Sequence, residues 1–219
     1  MKVISQTIYG GWESATDRQG FGNLGYYVNR SVQKKMGSYL NVMGGFLYYN
    51  YLENNLKFDV TSPSFSLYPG LSYSLSKLSM ELGLGAEYRH EKTTYKNSIK
   101  TSRNVLAFSS QFSLGIRPSQ RNKENLLLSF NTGNHYIWSR FRIQTLLNSN
   151  AQKQFWPGLE VIAQGNRKYS AAQAGIVAEF LKILKGNSLV VKAGYKRSFA
   201  KGGLDPNSAY AGLELSFPF

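Results

Sequence analysis

The last eleven residues of the chain, 209–219, alternate between apolar and polar side chains and end on an aromatic residue, Phe219. Successive side chains of a β-strand point to opposite faces, so the segment predicts a strand with one apolar and one polar face. A soluble protein rarely ends on so exposed an apolar edge. The pattern is typical of the strand that closes a membrane β-barrel, because closure leaves no unpaired edge in lipid.

The same alternation recurs along the chain in segments of about 8–15 residues, in the range that a tilted membrane strand needs. One segment, 168–184, also carries helix-favouring Ala, Leu and Lys residues, but its alternation favours a strand. About twelve strands are predicted, at residues 3–15, 20–32, 37–51, 58–75, 77–91, 103–117, 124–131, 135–147, 154–164, 168–184, 187–198 and 206–219.

Mean hydropathy is −0.33, and no run approaches the ~18 consecutive apolar residues of a membrane helix. A barrel also has a low average, because lipid-facing residues alternate with polar lumen residues. The 219 residues are enough for one sizeable domain. We therefore predict a single domain, 1–219, that forms an all-β, closed antiparallel transmembrane up-and-down β-barrel of about twelve strands.

A soluble β-sandwich also alternates, but its apolar faces point inward and its polar faces meet water. Here the polar faces are rich in Ser, Gly, Gln and Tyr rather than in Lys and Glu. Aromatic residues cluster near predicted strand ends, as at Tyr48, Tyr49, Tyr51 and Trp156, where interfacial girdles of membrane proteins lie. These features favour hydrocarbon as the contact of the apolar faces.

The connections between predicted strands are short and rich in Gly, Asn, Asp, Pro and Lys, as hairpins require. The longest are predicted at 92–102 and 118–125. With the amino end in the periplasm, an even strand number returns the carboxyl end to the periplasm.

The formal net charge is +14, which admits nucleic acid, anionic lipid or acidic solutes as partners. The basic residues do not form one stripe, and no helical recognition element or zinc spacing is present. Their position in turns favours anionic outer-membrane lipid or lipopolysaccharide at the membrane rims and predicts no nucleic-acid partner. The turn residues are Lys34, Lys35, Arg121, Lys123, Arg167, Lys168, Lys182 and Lys185.

Charged and aromatic residues on the polar faces are predicted to line the lumen. A filled lumen would pair opposite charges, whereas an open one would offer a polar path or a carbohydrate-contact surface. The residues alone leave both alternatives open. The predicted lumen-lining residues are Glu81, Glu87, Arg89, Arg117, Tyr136, Trp138, Arg140, Arg142, Glu160, Glu179, Lys192 and Glu214.

The two histidines, His90 and His135, are predicted near the outer rim, where they contact water or headgroups. A hydrolase would need a partner within hydrogen-bond reach of one of them. The sequence contains no metal-ligand spacing, phosphate loop or dinucleotide motif. We therefore predict a non-enzymatic protein without metal or cofactor, with an outer-membrane hydrolase or acyltransferase as an alternative.

Four short segments, in order along the chain, form a recognisable set. They are YGGWE at 9–13, GAEYRH at 85–90, PGLEV at 157–161 followed by Ala163, Gly165, Asn166, Tyr169 and Gly175, and SAYAGL at 208–213. Together they resemble the cellulose-biosynthesis protein BcsS family.

The resemblance implies a non-enzymatic outer-membrane barrel attached to exopolysaccharide production, acting as a channel or as a docking component. A general small-solute or anion-preferring porin and a plugged structural barrel in a larger envelope complex are the alternatives. The implied partners are polysaccharide or envelope secretion proteins. Phe219 is the predicted signal for the barrel-assembly machinery, and outer-membrane localisation implies a leader that has been removed from the mature chain.

Overall fold

The computed structural model describes most of the chain, in nine ranges. These are residues 3–31, 35–53, 56–95, 98–133, 135–149, 153–166, 170–181, 186–199 and 207–219. Within these ranges no helix has the length and apolar character that a membrane span requires.

The regular structure of the described residues consists of β-strands that form one continuous wall. The two-residue β9 pairs with the same edge of β10 as β8 does, so the wall has twelve positions. The strands are β1 (Val3–Ala15), β2 (Gln19–Ser31), β3 (Met36–Glu53), β4 (Leu56–Ser74), β5 (Leu78–Tyr95), β6 (Ser98–Ser119), β7 (Asn122–Asn131), β8 (Tyr136–Thr145), β9 (Asn148–Ser149), β10 (Gln154–Gly165), β11 (Ser170–Leu181), β12 (Ser188–Ser198) and β13 (Asn207–Pro218).

Each strand pairs antiparallel with the next position in the wall, and the first and last strands close it. In the closing pair, Thr7 of β1 lies opposite Pro218 of β13, and Ala15 lies opposite Tyr210. The ambiguous segment forms β11, which pairs with both β10 and β12 along its whole length. The predicted closed, antiparallel barrel of about twelve strands is therefore confirmed.

The two connections predicted to be longest are mostly strand, and that prediction was wrong. β5 continues to Tyr95 and β6 begins at Ser98, while β6 continues to Ser119 and β7 begins at Asn122. Both faces of these extensions carry polar residues, so alternation did not reveal them. They are held by backbone pairing and by cross-strand contacts such as the 2.5 Å ion pair between Arg103 and Glu91.

Apolar side chains cover the outside of the barrel, as the alternation predicts. In β13, Leu213, Leu215 and Phe217 are exposed, whereas the intervening Tyr210 points inward and is buried. β5 repeats the arrangement, with an exposed apolar series from Met80 to Tyr88. An apolar belt of this kind around a closed wall is the surface that lipid requires.

Trp156 was predicted in an interfacial girdle, and that prediction was wrong. Its side chain is 5% exposed and faces the lumen, where the Lys123 ammonium lies 4.6 Å from the ring centroid. The prediction for Tyr51 was also wrong, because its ring stacks on the buried Phe58, with 5.3 Å between the ring centroids. Aromatic residues near strand ends occupy either face, and only their parity within the strand decides which.

The basic turn residues do not all lie at a rim. Lys123 points inward and pairs with Glu179 at 2.5 Å, so its prediction as a lipid contact was wrong. Lys35 and Arg121 are exposed in turns. The other basic residues of that set, Lys34, Arg167, Lys168, Lys182 and Lys185, lie outside the described residues.

Candidate functional site: the barrel lumen

Arg142 is the centre of an ion cluster on one side of the lumen. It projects from β8 and pairs through Nε with Glu160 on the neighbouring β10. Its two terminal nitrogens donate to both carboxylate oxygens of Glu214 on β13, at 2.9 and 2.6 Å. This bidentate pair is the strongest geometry available to a guanidinium. It joins strands that are four positions apart in the wall.

Lys192 of β12 ties the cluster to the start of the chain. Its ammonium lies 2.6 Å from Glu13 of β1, 3.4 Å from Glu214 and 3.8 Å from Glu160. Arg140 adds a 3.2 Å contact with Glu214. The cluster therefore holds three cations and three carboxylates. Its charges balance, as buried charges must.

Tyrosine side chains fill the opposite side of the lumen. The Tyr27 hydroxyl donates to Glu81 at 2.5 Å, and the Tyr9 hydroxyl donates to Asn41 at 2.7 Å. The rings of Tyr27 and Tyr39 lie 5.3 Å apart. These contacts give the polar tips of large side chains the partners that they need away from water.

Inward-facing glycines make room for the rings of Tyr9, Tyr39 and Tyr210. A Cβ on Gly25 would lie 2.3 Å from the Tyr9 ring, and one on Gly70 would lie 2.4 Å from the Tyr39 ring. The Tyr210 ring occupies the corresponding space above Gly194. The rings thus pack directly on the backbone of the glycines. Aromatic rings in this position offset the loss of stability that glycine causes in a strand.

Replacing Gly25 by Ala is expected to lower the free energy of unfolding by about 1–3 kcal/mol, because the new methyl group overlaps the Tyr9 ring. Adding Tyr9→Ala removes the overlap, so the double variant should lose less than the sum of the two single losses. Denaturant unfolding of the folded barrel in detergent micelles, followed by tryptophan fluorescence, measures both effects.

Gly44→Ala is the matched control for this prediction. Its Cβ would meet only the Leu24 carbonyl oxygen, at 3.9 Å, so it should leave the unfolding midpoint nearly unchanged. Equal behaviour of Gly25→Ala and Gly44→Ala would show that the tyrosine does not rest on Gly25.

One open cavity reaches into the lumen from the end at which the chain termini lie. This vestibule has a volume of about 570 Å³ and is bordered by the turn between β4 and β5 and by β6, β7, β8 and β11. The Lys123–Glu179 ion pair lies on its wall. Gln144 donates from the wall to the Trp156 carbonyl at 3.0 Å. Arg140 and Arg142 lie at its inner limit.

The other residues predicted to line the lumen lie outside the ion cluster, and one of them, Trp138, contacts it. Glu87 pairs with Arg89 at 2.6 Å on β5, and the Tyr136 hydroxyl donates to Gln164 at 2.8 Å. Trp138 lies next to Arg140, with 5.8 Å between its ring centroid and the guanidinium carbon. Arg117 is exposed at the mouth of the vestibule.

Five residues that face the lumen were not among the predicted lumen-lining residues: Glu13, Lys123, Tyr9, Tyr27 and Tyr39. The alternating position of each residue within its strand would have placed them on the inward face. Glu13 and Tyr9 share a strand face, and Lys123 shares the face of Asn125 and Leu127, which points opposite to the exposed Leu128. Lys123 was predicted to lie in a turn instead.

The two histidines lie towards the end of the barrel opposite the chain termini. His90 Nδ1 lies 2.7 Å from Asn104 Oδ1, and His135 adopts a positive φ of 52° in the turn between β7 and β8. Within the described ranges, no group of three His, Cys, Asp or Glu side chains is placed to hold a metal ion.

The fold is that of bacterial outer-membrane barrels. The chain superposes on an outer membrane channel of Pseudomonas putida F1 with a TM-score of 0.65 and 11% identity, over 100% of this chain and 97% of that one. KdgM porin gives 0.53 and 10%, over 96% and 99%. The β domain of the Bordetella autotransporter BrkA gives 0.53 and 12%, over 97% and 99%. These likenesses show the fold, a closed β-barrel of the kind that bacterial outer-membrane proteins have.

The sequence profile of the family "Cellulose biosynthesis protein BcsS" matches residues 3–219, and the chain belongs to that family. No curated protein matches the sequence. The resemblance predicted from the four short segments is confirmed. Three of those segments meet in the lumen, because they supply Glu13, Glu160 and the inward-facing Tyr210. The protein is thus an outer-membrane barrel linked to cellulose synthesis.

Proposed function

We propose that the barrel is a non-enzymatic component of the cellulose-export machinery and works with its lumen filled, as an envelope docking component. One observation carries this proposal. The Arg142 guanidinium binds carboxylates on β10 and β13 together, and Glu160 beneath it is only 1% exposed. A conducting lumen surrounds its lining charges with water, whereas these charges are bound to one another.

The alternatives require this cluster to come apart. A polysaccharide channel or an anion-preferring porin would need a hydrated path past Arg142, Glu214 and Lys192. Opening such a path would require water to replace the partners that Arg142, Glu214 and Lys192 now give one another. On the other side of the lumen, the side chains of Tyr39 and Tyr68 are buried as well. A filled barrel is therefore the resting state that the contacts favour.

Planar-bilayer recording tests the proposal. Purified protein, with and without cello-oligosaccharide, is expected to give no discrete conductance steps. Conductance steps in the wild-type protein that cello-oligosaccharide blocks would contradict the docking role and support glucan transport. Steps whose anion preference falls in Arg140→Gln and Arg142→Gln would replace it by a porin.

A second arm uses living cells. Loss of the chain should lower cellulose at the cell surface, and the wild-type gene should restore it, when cellulose is measured by dye binding. Unchanged cellulose in cells without the chain would overturn a role in export, whatever the bilayer recordings show.

Assembly of the barrel is the other partner interaction that we propose, with Phe219 as the residue read by the barrel-assembly machinery. Phe219 is 69% exposed. Its backbone N–H donates to the Gln6 carbonyl at 3.0 Å, and its ring lies 6.4 Å from that of Tyr26. The terminal ring thus lies on the outer surface at the β1–β13 seam, where another protein can reach it.

Phe219→Ala is expected to reduce the fraction of folded barrel in the outer membrane severalfold. It should leave the free energy of unfolding of the purified protein within about 0.5 kcal/mol of the wild-type value, as for other exposed positions. Gel mobility before and after heating measures the folded fraction. Phe217→Ala is the matched control, since Phe217 lies on the same face and is 40% exposed. Equal loss in both variants would argue against a terminal signal.

A further inference from the structure

The vestibule is strongly basic. Its lining includes five cationic side chains and only two carboxylates, those of Glu124 and Glu179. Lys123 is neutralised by Glu179, and Arg140 and Arg142 share Glu214. The excess of positive charge therefore comes from the residues at the mouth.

Two of the cations, Lys77 and Arg117, are not neutralised by a neighbouring carboxylate of the described residues. Neither makes an ion pair with the described residues. The Arg117 N–H donates to the Lys77 carbonyl at 2.8 Å, so the backbone fixes the two residues side by side. Both side chains are exposed and border the cavity. They form a fixed pair of cations at the entrance, which attracts anions from solution.

The wall behind this entrance offers groups suited to hydroxyls. Asn125 accepts from Arg140 at 3.5 Å, and Gln144 donates to Glu179 at 3.1 Å, so planar amide, guanidinium and carboxylate groups lie close together. The volume of about 570 Å³ is within the range of small-molecule sites. It is far larger than a single phosphate ion needs.

We propose that the vestibule binds a small anionic sugar, one that carries a carboxylate or a phosphate group. Arg117 and Lys77 hold the anionic group at the mouth, with Arg117 contributing the planar fork that matches carboxylate and phosphate oxygens. Asn125 and Gln144 contact the sugar hydroxyls further in. The site does not depend on whether the barrel conducts, so it stands or falls separately from the docking function.

Calorimetric titration of the purified barrel tests the site, with glucuronate and glucose 6-phosphate as anionic sugars. Glucose and inorganic phosphate represent the sugar and the anion alone. Both anionic sugars are expected to bind more tightly than either control, and less tightly as salt increases. Equal binding of glucose would overturn the role of charge. Equal binding of phosphate would overturn the role of the sugar.

Arg117→Gln is expected to weaken glucuronate binding roughly fivefold, the loss of one charge-assisted contact at an exposed site. Lys77→Gln should act in the same direction and serves as a second variant. Arg121→Gln is the matched control, because Arg121 is exposed in the adjacent turn but does not border the cavity. Unchanged affinity in both Arg117→Gln and Lys77→Gln, or an equal loss in Arg121→Gln, would overturn the assignment.

Discussion

Replacing Glu160 by Gln is expected to lower the free energy of unfolding by about 3–5 kcal/mol, the typical effect of removing one partner from a buried ion pair. The side chain keeps its shape but loses its charge. Arg142 and Lys192 then share two carboxylates, Glu13 and Glu214, with Arg140. The excess positive charge is then held mostly away from water, because the Arg142 and Lys192 side chains are each 7% exposed. Denaturant unfolding of the folded barrel in micelles measures the loss.

A second substitution separates charge balance from packing. Lys192→Met removes one cation, so Glu160→Gln with Lys192→Met restores the balance. The double variant should be more stable than the sum of the single losses predicts, by about 1–3 kcal/mol of coupling. Strict additivity would show that the cluster does not act as one unit and would weaken the argument for a filled lumen.

Replacing Leu84 by Lys is expected to destabilise the barrel by about 2–4 kcal/mol in lipid, the cost of a cation at the middle of the membrane. Leu84 is 50% exposed and lies centrally in the apolar outer series of β5. Its neighbours there are apolar, and a charge at this depth has no water to contact. Unfolding in lipid vesicles, rather than in micelles, gives the relevant reference.

Ser113→Lys is the control for this substitution. Ser113 of β6 pairs directly with Glu81 of β5. Its half-exposed side chain faces the lumen, where a cation has a carboxylate nearby. It should cost much less than Leu84→Lys. The opposite ranking would mean that the apolar surface of the barrel does not contact hydrocarbon.

These two predictions concern opposite faces of the same wall. The apolar outside fixes the barrel in the membrane through nonspecific burial, and the polar inside is specific because each charge has named partners. The docking role that we propose needs a rigid wall more than it needs a path. Cross-lumen contacts such as Arg142–Glu214, which join residues 72 positions apart, brace the wall in that way.

The strand positions followed from the sequence wherever one face is apolar. The alternation in 209–219 correctly placed Leu213, Leu215 and Phe217 on the outside of β13 and Tyr210 on the inside, and it distinguished strand from helix in β11. It failed at 92–102 and 118–125, because polar residues on both faces carry no period-two signal. There only the neighbouring strand, through backbone hydrogen bonds, decides that the chain stays extended.

Where one face of a strand is apolar, the side on which a residue lies was determined by the sequence alone, since alternation of the Cβ direction is a local property of a strand. The partners of each inward residue were decided only by the closed wall. Closure and the stagger between strands bring Arg142 of β8 to Glu214 of β13, and Lys192 to Glu13, from strands that do not adjoin in sequence. Coulomb attraction then holds together what the register has placed within reach.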